Sequence, residues 1–256
     1  NALFIGRSRY RLALVRTVRE GRFEPPASND GSYHLVPIGN NLDAMLMAVE
    51  QTYLSAVQAH GEENAILLLP RRAGNAATPG WNTTYMNARL QQSVNSNGDR
   101  LPGTMFRIGD RIIIRKNMTV PQGEGEPSVT VANGDTGRIT SAQSKDGAIA
   151  SCGITLDDGR ALNLPSSLLI FVGLAYALTV HAAQGSEYHS VIFVLTGGPP
   201  SFIHRGIVYT AVSRPRQQLT VFADLDTARG VVRHVGGRRY SSLASKTRAV
   251  LGQPAG

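Results

Sequence analysis

Two segments in the last third of the sequence combine residue types that can bind phosphate groups. Arg214 lies between a predicted helix at 206–212 and a predicted strand at 219–223, so its guanidinium can be held at a sheet edge. A guanidinium is a planar fork of N–H donors that matches phosphate oxygens. Gly185 lies in a predicted tight turn at 184–187, where the missing side chain permits a close approach of the backbone to phosphate.

The residues that several other reaction classes need are missing. No glycine-rich loop of the form G-x-x-x-x-G-K-[ST] is present, because none of the lysines, Lys116, Lys145 and Lys246, follows a glycine. Residues 156–159 superficially resemble a magnesium-binding Walker B sequence, but they indicate a hairpin turn. The single cysteine, Cys152, excludes a disulfide framework and a zinc site built on several thiolates, and we predict no metal site.

Composition is typical of a folded protein that can meet nucleic acid. The 256 residues are 42% apolar and 17% charged, which excludes a disordered tail and a coiled coil. The net charge is +8, and basic residues are concentrated at both ends of the sequence. This charge distribution is compatible with a polyphosphate partner such as nucleic acid. We see no secretory signal and no apolar run long enough for a membrane span, and we therefore expect a cytoplasmic protein without a membrane partner.

The sequence divides into an α/β part and a β-rich part. Helices are predicted at 8–21, 41–60, 86–94, 206–212, 227–234 and 242–251, and strands between them at 33–38, 65–69, 168–172, 191–195 and 219–223. Short β-branched runs predict further strands at 111–114, 129–131, 137–140, 153–156 and 161–164, with hairpin signals at 133–134 and 157–160. This order predicts an α/β domain with a parallel sheet, interrupted by a small antiparallel barrel.

Two segments resemble motifs V and VI of superfamily 1 DNA helicases. They are residues 174–188 (LAYALTVHAAQGSEY) and 208–219 (VYTAVSRPRQQL). They are most similar to the RecD-like, 5′-to-3′ branch, which includes the exodeoxyribonuclease V alpha subunit and conjugative TraA-type proteins. Residues 105–111 and 133–137 resemble the SH3-like insertion of that family, and residues 70–90 resemble its motif IV more weakly.

The resemblance implies a domain organisation. Residues 31–104 and 165–256 would form a RecA-like parallel-sheet domain (helicase domain 2A), and residues 105–164 an SH3-like β-barrel insertion (domain 2B). Residues 1–30 would be the tail of a first motor domain or the linker from it. Because the Walker A and B sequences are absent, we expect the chain to be the C-terminal half of an ATP-dependent DNA helicase, inactive as an ATPase alone.

The resemblance also implies roles for residues on the nucleotide side. Arg214 matches the motif VI arginine finger, which completes the ATP site across the cleft between two motor domains. Gln184, Gly185 and Glu187 match the nucleotide-binding turn, in which the glutamate accepts a hydrogen bond from the ribose. Motif VI here has Ser213 where threonine is commoner, which we expect to be tolerated.

Other residues of the same segments match positions that contact nucleic acid. Thr179 and His181 resemble the motif V residues that touch the backbone of single-stranded DNA. Ala182 stands where the family usually has lysine, so one cation is lost beside the strand or the nucleotide. Tyr176 and Tyr209 are predicted to be core residues.

The cofactors and partners follow from the same resemblance. ATP and Mg²⁺ would be bound mainly by the first motor domain, and we expect none to be held by this chain alone. The expected partners are single-stranded DNA and the N-terminal motor domain of the same protein. The residues do not decide whether repair or conjugation subunits also bind.

Two other functions agree with the sequence. An ATP-independent nucleic-acid-binding module would also lack the phosphate loop. A protein-docking module would use the barrel and keep the basic ends for solubility. Binding to oligo-dT that weakens steeply with salt would favour phosphate contact over docking.

Overall fold

The computed structural model describes residues 9–25, 31–74, 80–123, 125–199 and 202–236. Within these ranges the helices are α1 (Arg9–Arg19), α2 (Leu42–His60), α3 (Thr83–Val94), α4 (Arg205–Ser213) and α5 (Leu225–Arg233). The strands are β1 (Tyr33–Val36), β2 (Ala65–Leu69), β3 (Arg111–Ile114), β4 (Met118–Val120), β5 (Val129–Val131), β6 (Thr136–Lys145), β7 (Ala148–Leu156), β8 (Ala161–Pro165), β9 (Val172–Leu174), β10 (Ala177–Thr179), β11 (Tyr188–Leu195) and β12 (Pro215–Ala223). The predicted helix at 242–251 lies outside the described residues.

The predicted parallel sheet is confirmed. In the described part of the chain, β1, β12, β11, β2 and β10 pair in this order, and each neighbouring pair is parallel. A parallel sheet that is covered on both faces needs strands with continuous apolar sequences. The sequence AILLL of β2 and the sequence VIFVL at 191–195 of β11 meet this need, and every one of these residues is buried.

Helices cover both faces of the parallel sheet. Successive side chains of a strand point to opposite faces, so Leu67 and Leu69 pack in the core that contains α2 and α3. Ile66 and Leu68 pack in the second core, with side chains of α1, α4 and α5. Since both faces are filled with apolar side chains, the polar loops that could bind a ligand lie at the amino and carboxyl ends of the strands. Each of these two ends is called an edge of the sheet below.

Helix ends in this domain follow local signals. The predicted start and end of α2 are confirmed, because the Asn41 side chain accepts a hydrogen bond from the Ala44 amide over 3.0 Å and Gly61 ends the helix at a φ of 85°. Helix α3 begins earlier than predicted, at Thr83. The Asn82 side chain caps it by accepting from the Tyr85 amide over 2.9 Å.

The β-rich part is antiparallel, as predicted. Strands β8, β7, β6, β3 and β9 pair in that order in the described residues, and β4 pairs with β5 as a separate ribbon. The hairpin predicted at 157–160 joins β7 to β8 and is confirmed. Closure of these strands into an SH3-like barrel stays a prediction.

The strand predicted at 168–172 is wrong. Residues Ser166–Phe171 form a 3₁₀ helix, and β9 follows it and pairs antiparallel with β3 instead of joining the parallel sheet. A strand inside the parallel sheet would have to be buried on both faces, whereas Ile170 is 79% exposed. The antiparallel sheet therefore takes its last strand from beyond residue 164.

The turn at Asn133–Gly134 is not a hairpin between paired strands. It connects β5 to β6, which lie in different sheets, and the Gly134 amide donates to the Ile114 carbonyl over 2.9 Å. The tight hairpin between β6 and β7 instead uses Asp146 and Gly147, with φ angles of 53° and 77°. Asp-Gly is a strong signal for such a turn, and the sequence analysis missed it.

A buried carboxylate connects the two sheets. Asp110 is fully buried, and its oxygens accept hydrogen bonds from the side chains of Gln91 in α3 and Asn95 directly after it, and from the Arg107 amide. The hydroxyl of Tyr176, directly before β10, donates to the same carboxylate over 2.9 Å. These bonds satisfy the charge inside the protein and fix the antiparallel sheet against α3 and β10.

The two tyrosines that were predicted to lie in the core differ in their burial. Tyr176 is buried, as predicted. Tyr209 is 38% exposed on α4, so that prediction is wrong. Among the helices of the described ranges, none has the length and apolar content that crossing a membrane requires.

Candidate functional site

Arg214 lies at the junction of α4 and β12. Pro215 cannot continue the helix because it has no amide hydrogen, and it starts the next strand, so the helix ends at the arginine. The guanidinium is half-buried and donates to the Ser186 carbonyl (Nη1, 3.1 Å) and to the Thr210 carbonyl (Nε, 3.2 Å). Its Nη2 atom donates to the Ser213 hydroxyl over 3.1 Å.

These bonds position a cation without neutralising it. A guanidinium has five N–H donors, and three hydrogen bonds leave donors over for another acceptor. Within the described ranges, no carboxylate forms an ion pair with Arg214. The side chain is therefore a fixed, charged donor at the amino ends of the strands.

The bend at 184–187 lies against this arginine. Gly185 has a φ of 92°, and an added Cβ there would meet no atom within 4 Å, so open space adjoins its backbone. Gln184 is exposed. Glu187 forms an ion pair with Arg216 over 3.6 Å. The Tyr188 amide then donates to the Arg214 carbonyl over 3.1 Å, so the bend and the end of α4 are joined in both directions.

Thr179 and His181 lie at the opposite edge of the sheet. Thr179 ends β10 level with Leu69, whereas Ser190 of β11 pairs with Ala65. Leu69 and Ala65 are four residues apart along β2. At a rise of ~3.3 Å per residue of a parallel strand, Thr179 and Ser190 therefore lie ~13 Å apart along the strand direction. The connection at 180–187 therefore crosses from the carboxyl end of β10 to the amino end of β11, so Thr179 lies at the opposite end of the strands from Ser186 and Arg214.

The threonine and the histidine differ in their surroundings. The Thr179 hydroxyl accepts a hydrogen bond from the Ala182 amide over 3.2 Å and so orders the start of the connection. His181 is exposed. Thr179 is the last residue of a strand and His181 lies two positions beyond it, at the carboxyl ends of the parallel strands, where α/β sheets usually bind ligands.

One further residue of this edge was missed by sequence reasoning. The His204 Nδ1 atom caps α4 by accepting from the Gly206 amide over 3.1 Å. Burial, and then the nearby charge of His181, lower the pKa of His204. The two histidines are 23 positions apart, so only the fold brings them near each other. No group of three or more metal-ligating side chains occurs among the residues that the structure describes.

The site joins two features of the fold. In an α/β domain with a parallel sheet, a glycine bend meets an arginine at the end of a helix. Residues 174–222 match the UvrD-like helicase C-terminal domain family, and this range includes all six residues assigned to the nucleotide or to nucleic acid. The predicted resemblance is thereby confirmed.

Curated relatives agree with the family match. Over 201 residues the chain is 30% identical to the ATP-dependent RecD2 DNA helicase of Deinococcus radiodurans, covering 76% of this chain and 24% of that protein. Over 119 residues it is 29% identical to RecBCD enzyme subunit RecD of Buchnera aphidicola, covering 46% of this chain and 18% of that protein. The chain thus spans about a quarter or less of the length of these relatives.

A solved structure was also matched. The Pif1 helicase from Bacteroides in complex with ADP-AlF3 and ssDNA aligns with 96% of this chain and 54% of that chain, at 14% identity. The TM-score is 0.48, too low for a shared fold to be concluded from it.

Proposed function

We propose that this chain is the C-terminal half of an ATP-dependent DNA helicase that translocates on single-stranded DNA. In this proposal residues 31–104 and 165–256 form the second motor domain and residues 105–164 an SH3-like insertion. Arg214 acts as the arginine finger toward a nucleotide held mainly by a first motor domain. The single observation that carries the proposal is the guanidinium of Arg214, held by three hydrogen bonds beside the bend at 184–187 and paired with no carboxylate of the described residues.

The residues at the amino ends of β11 and β12 are suited to contact a nucleoside triphosphate. ATP with Mg²⁺ supplies the phosphoryl group and the metal charge, and the chain supplies contacts to them. Arg214 would meet negative charge that develops on the terminal phosphate, an interaction that costs no reorganisation because three hydrogen bonds already hold the side chain. Gly185 leaves room for the nucleotide beside the backbone, and Gln184 and Glu187 would contact it.

Thr179 and His181 would contact the phosphates of the single strand at the other edge. Their separation from Arg214 supports a division of labour, since one edge of the same sheet would meet nucleotide and the other would meet DNA. The short connection at 180–187 joins both edges. A shift of the bend on hydrolysis would therefore be passed directly to the strand contacts.

The test uses the full-length protein that contains this chain. Arg214→Ala is expected to lower oligo-dT-stimulated ATP hydrolysis by about 10³-fold or more, as for other arginine fingers, and to leave oligo-dT affinity without nucleotide unchanged. Arg229→Ala removes the same charge from the exposed side of α5 and is the matched control, expected to hydrolyse ATP at the normal rate. Equal rates for Arg214→Ala and the control would contradict the proposal.

The strand contacts have a separate test. Thr179→Val and His181→Ala are expected to weaken oligo-dT binding, and Thr179→Ser should retain it because the hydroxyl remains. The chain of 256 residues alone is expected to hydrolyse no ATP, because it has no phosphate loop. DNA-stimulated turnover by this chain alone would contradict that expectation. Binding of oligo-dT without any effect of nucleotide on the full-length protein would favour an ATP-independent binding module.

A further inference from the structure

A cavity of about 280 Å³ lies between α3 and the antiparallel sheet, away from Arg214. Its lining includes Arg72, Thr83, Thr84, Asn87, Arg115 and Leu174. The cavity thus lies where the two sheets of the protein meet.

Two exposed arginines from different parts of the fold meet at this cavity. Arg72 follows β2 of the parallel sheet, and Arg115 directly follows β3 of the antiparallel sheet. Both side chains line the same cavity, and partial burial, followed by the nearby charge of Arg72, lowers the pKa of Arg115. In the described part of the chain neither is paired with a carboxylate.

Other arginines of the antiparallel sheet have acidic partners. Arg111 pairs with Asp157, and Arg138 pairs with Glu62. Arg160 pairs with acidic side chains as well. Unlike these three arginines, Arg72 and Arg115 have no carboxylate partner among the described residues, so the surface at the cavity carries uncompensated positive charge.

Backbone contacts hold both arginines at the rim. The Arg115 guanidinium packs against the backbone of Gly173 in β9, and a side chain at that position would occupy the same space. The Arg72 carbonyl accepts from the Thr84 amide (3.0 Å) and from the Thr84 hydroxyl (2.9 Å). The segment that carries Arg72 is therefore attached to the first turn of α3.

The cavity also adjoins the strand that carries Thr179. The Asn87 side chain, in the cavity lining, donates to the Ala177 carbonyl (2.8 Å) and accepts from the Ala177 amide (2.9 Å). Ala177 is the first residue of β10 and Thr179 is the last. The cavity lining is thus hydrogen-bonded to the strand that ends at Thr179.

We propose that this cavity binds a backbone phosphate of single-stranded DNA between Arg72 and Arg115. Two guanidiniums provide planar, charge-assisted donors that suit a phosphodiester, and the phosphate supplies the negative charge that the pair lacks. The inference rests on the proposed function and adds to it a phosphate contact made jointly by both sheets. A free phosphate ion has the same chemistry and is the alternative source of the ligand.

The test measures fluorescence anisotropy of labelled oligo-dT with the 256-residue chain over a series of salt concentrations. Each phosphate contact on a single strand makes the slope of the logarithm of the association constant against the logarithm of the salt concentration steeper by about 0.7, in the negative direction. Because both arginines would contact one phosphate, the double variant Arg72→Gln/Arg115→Gln is expected to reduce the steepness of this slope by about 0.7 and to weaken binding roughly fivefold at about 50 mM salt, and each single variant by part of these amounts. Lys145→Gln, which removes one exposed charge at the end of β6, is the matched control and should change the slope less.

The outcomes separate this inference from the proposed function. Wild-type slopes in both arginine variants, with oligo-dT still bound, would overturn the phosphate site but not strand binding at Thr179. No binding of oligo-dT by the wild-type chain at low salt would overturn both. Calorimetric binding of inorganic phosphate that the double variant loses, with an unchanged oligo-dT slope, would assign the cavity to free phosphate and overturn the DNA contact. Thermal unfolding of each variant checks that it is folded.

Discussion

The Nη1 atom of Arg214 donates a hydrogen bond to the carbonyl oxygen of Ser186 over 3.1 Å, across 28 positions of sequence. The amide of Tyr188 donates back to the carbonyl of Arg214 over 3.1 Å. The bend at 184–187 and the end of α4 are therefore one structural unit. A change in the bend is expected to shift the guanidinium. The residues that hold Arg214 in place can be substituted to test this, because they are not themselves assigned a contact with the nucleotide.

Ser213 is expected to act as a positioning residue for Arg214. Its hydroxyl accepts from Arg214 Nη2 (3.1 Å) and donates to the Thr210 carbonyl (2.9 Å). Ser213→Ala removes one of three anchors, which at ~1 kcal/mol for a hydrogen bond predicts a fall in kcat of about fivefold for ATP hydrolysis by the full-length protein. Ser213→Thr keeps the hydroxyl and should hydrolyse ATP normally. Equal loss in both variants would show that the hydroxyl is not what matters.

Gly185 is expected to be required for its backbone conformation. Its φ of 92° is unfavourable for any residue with a Cβ, and no neighbouring atom lies within 4 Å of that position. Gly185→Ala should therefore lower the free energy of unfolding by about 1–2 kcal/mol, measured by urea denaturation of this chain. Gly230→Ala is the matched control inside α5, where φ is not positive and space is open, and it should raise stability by about 0.5–1 kcal/mol. Changes of the same sign would contradict this account.

Elements with strong local signals could be predicted from the sequence. Helix α2 has its cap at Asn41 and its stop at Gly61, and β2 is a continuous apolar run that ends at Leu69, directly before Pro70. Strand β10 has three residues and no distinguishing composition, and it exists because it pairs with β2. Strand β9 likewise depends on its partner β3, which no local pattern reveals.

The candidate site divides in the same way. The glycine bend and Arg214 could be found because their residue types and order match a known motif. The bond from Arg214 to Ser186 depends on the parallel pairing of β11 with β12, which places both at one edge. Arg72 lies in the segment that weakly resembles motif IV, but its meeting with Arg115 depends on tertiary packing, which the sequence alone does not reveal.

Asp157 is expected to stabilise the fold in a pH-dependent way. Its oxygens accept from both Nη atoms of Arg111 and from the Thr136 hydroxyl. Burial alone would raise the pKa of Asp157, but these hydrogen bonds outweigh it and lower the pKa below 3.8. Because the folded-state pKa is lowered, the stabilisation is fully present above the unfolded value and is lost as pH falls through and below about 4.

The variant Asp157→Asn leaves the buried Arg111 without its counter-charge. It should lower the free energy of unfolding by about 2 kcal/mol at neutral pH, measured by urea denaturation, and the gap to wild type should narrow between about pH 5 and pH 3. Asp158→Asn is the matched control in the same turn. Its side chain is 52% exposed and pairs with Arg160, so its cost should be below about 1 kcal/mol. A gap for Asp157→Asn that stays constant with pH would contradict the linkage.

His204 is expected to make the start of α4 sensitive to mild acid. Its Nδ1 atom can accept from the Gly206 amide only while it is unprotonated, and burial, with the charge of His181, keeps its pKa below 6.5. The unfolded chain binds the proton first, so the stabilisation is present above about pH 6.5 and is lost as pH falls from there through the lower folded-state pKa. Urea denaturation at several pH values measures this loss.

Two substitutions of His204 separate the cap from the titration. His204→Asn keeps a capping acceptor that does not titrate. The free energy of unfolding of this variant should therefore match that of wild type near pH 8, and should fall less than that of wild type between about pH 6.5 and pH 5. His204→Ala has no cap and should be about 1 kcal/mol less stable already at the higher pH. If wild type and His204→Asn lose stability in parallel as pH falls, protonation at this helix start is not the cause, and the acid sensitivity must come from another group.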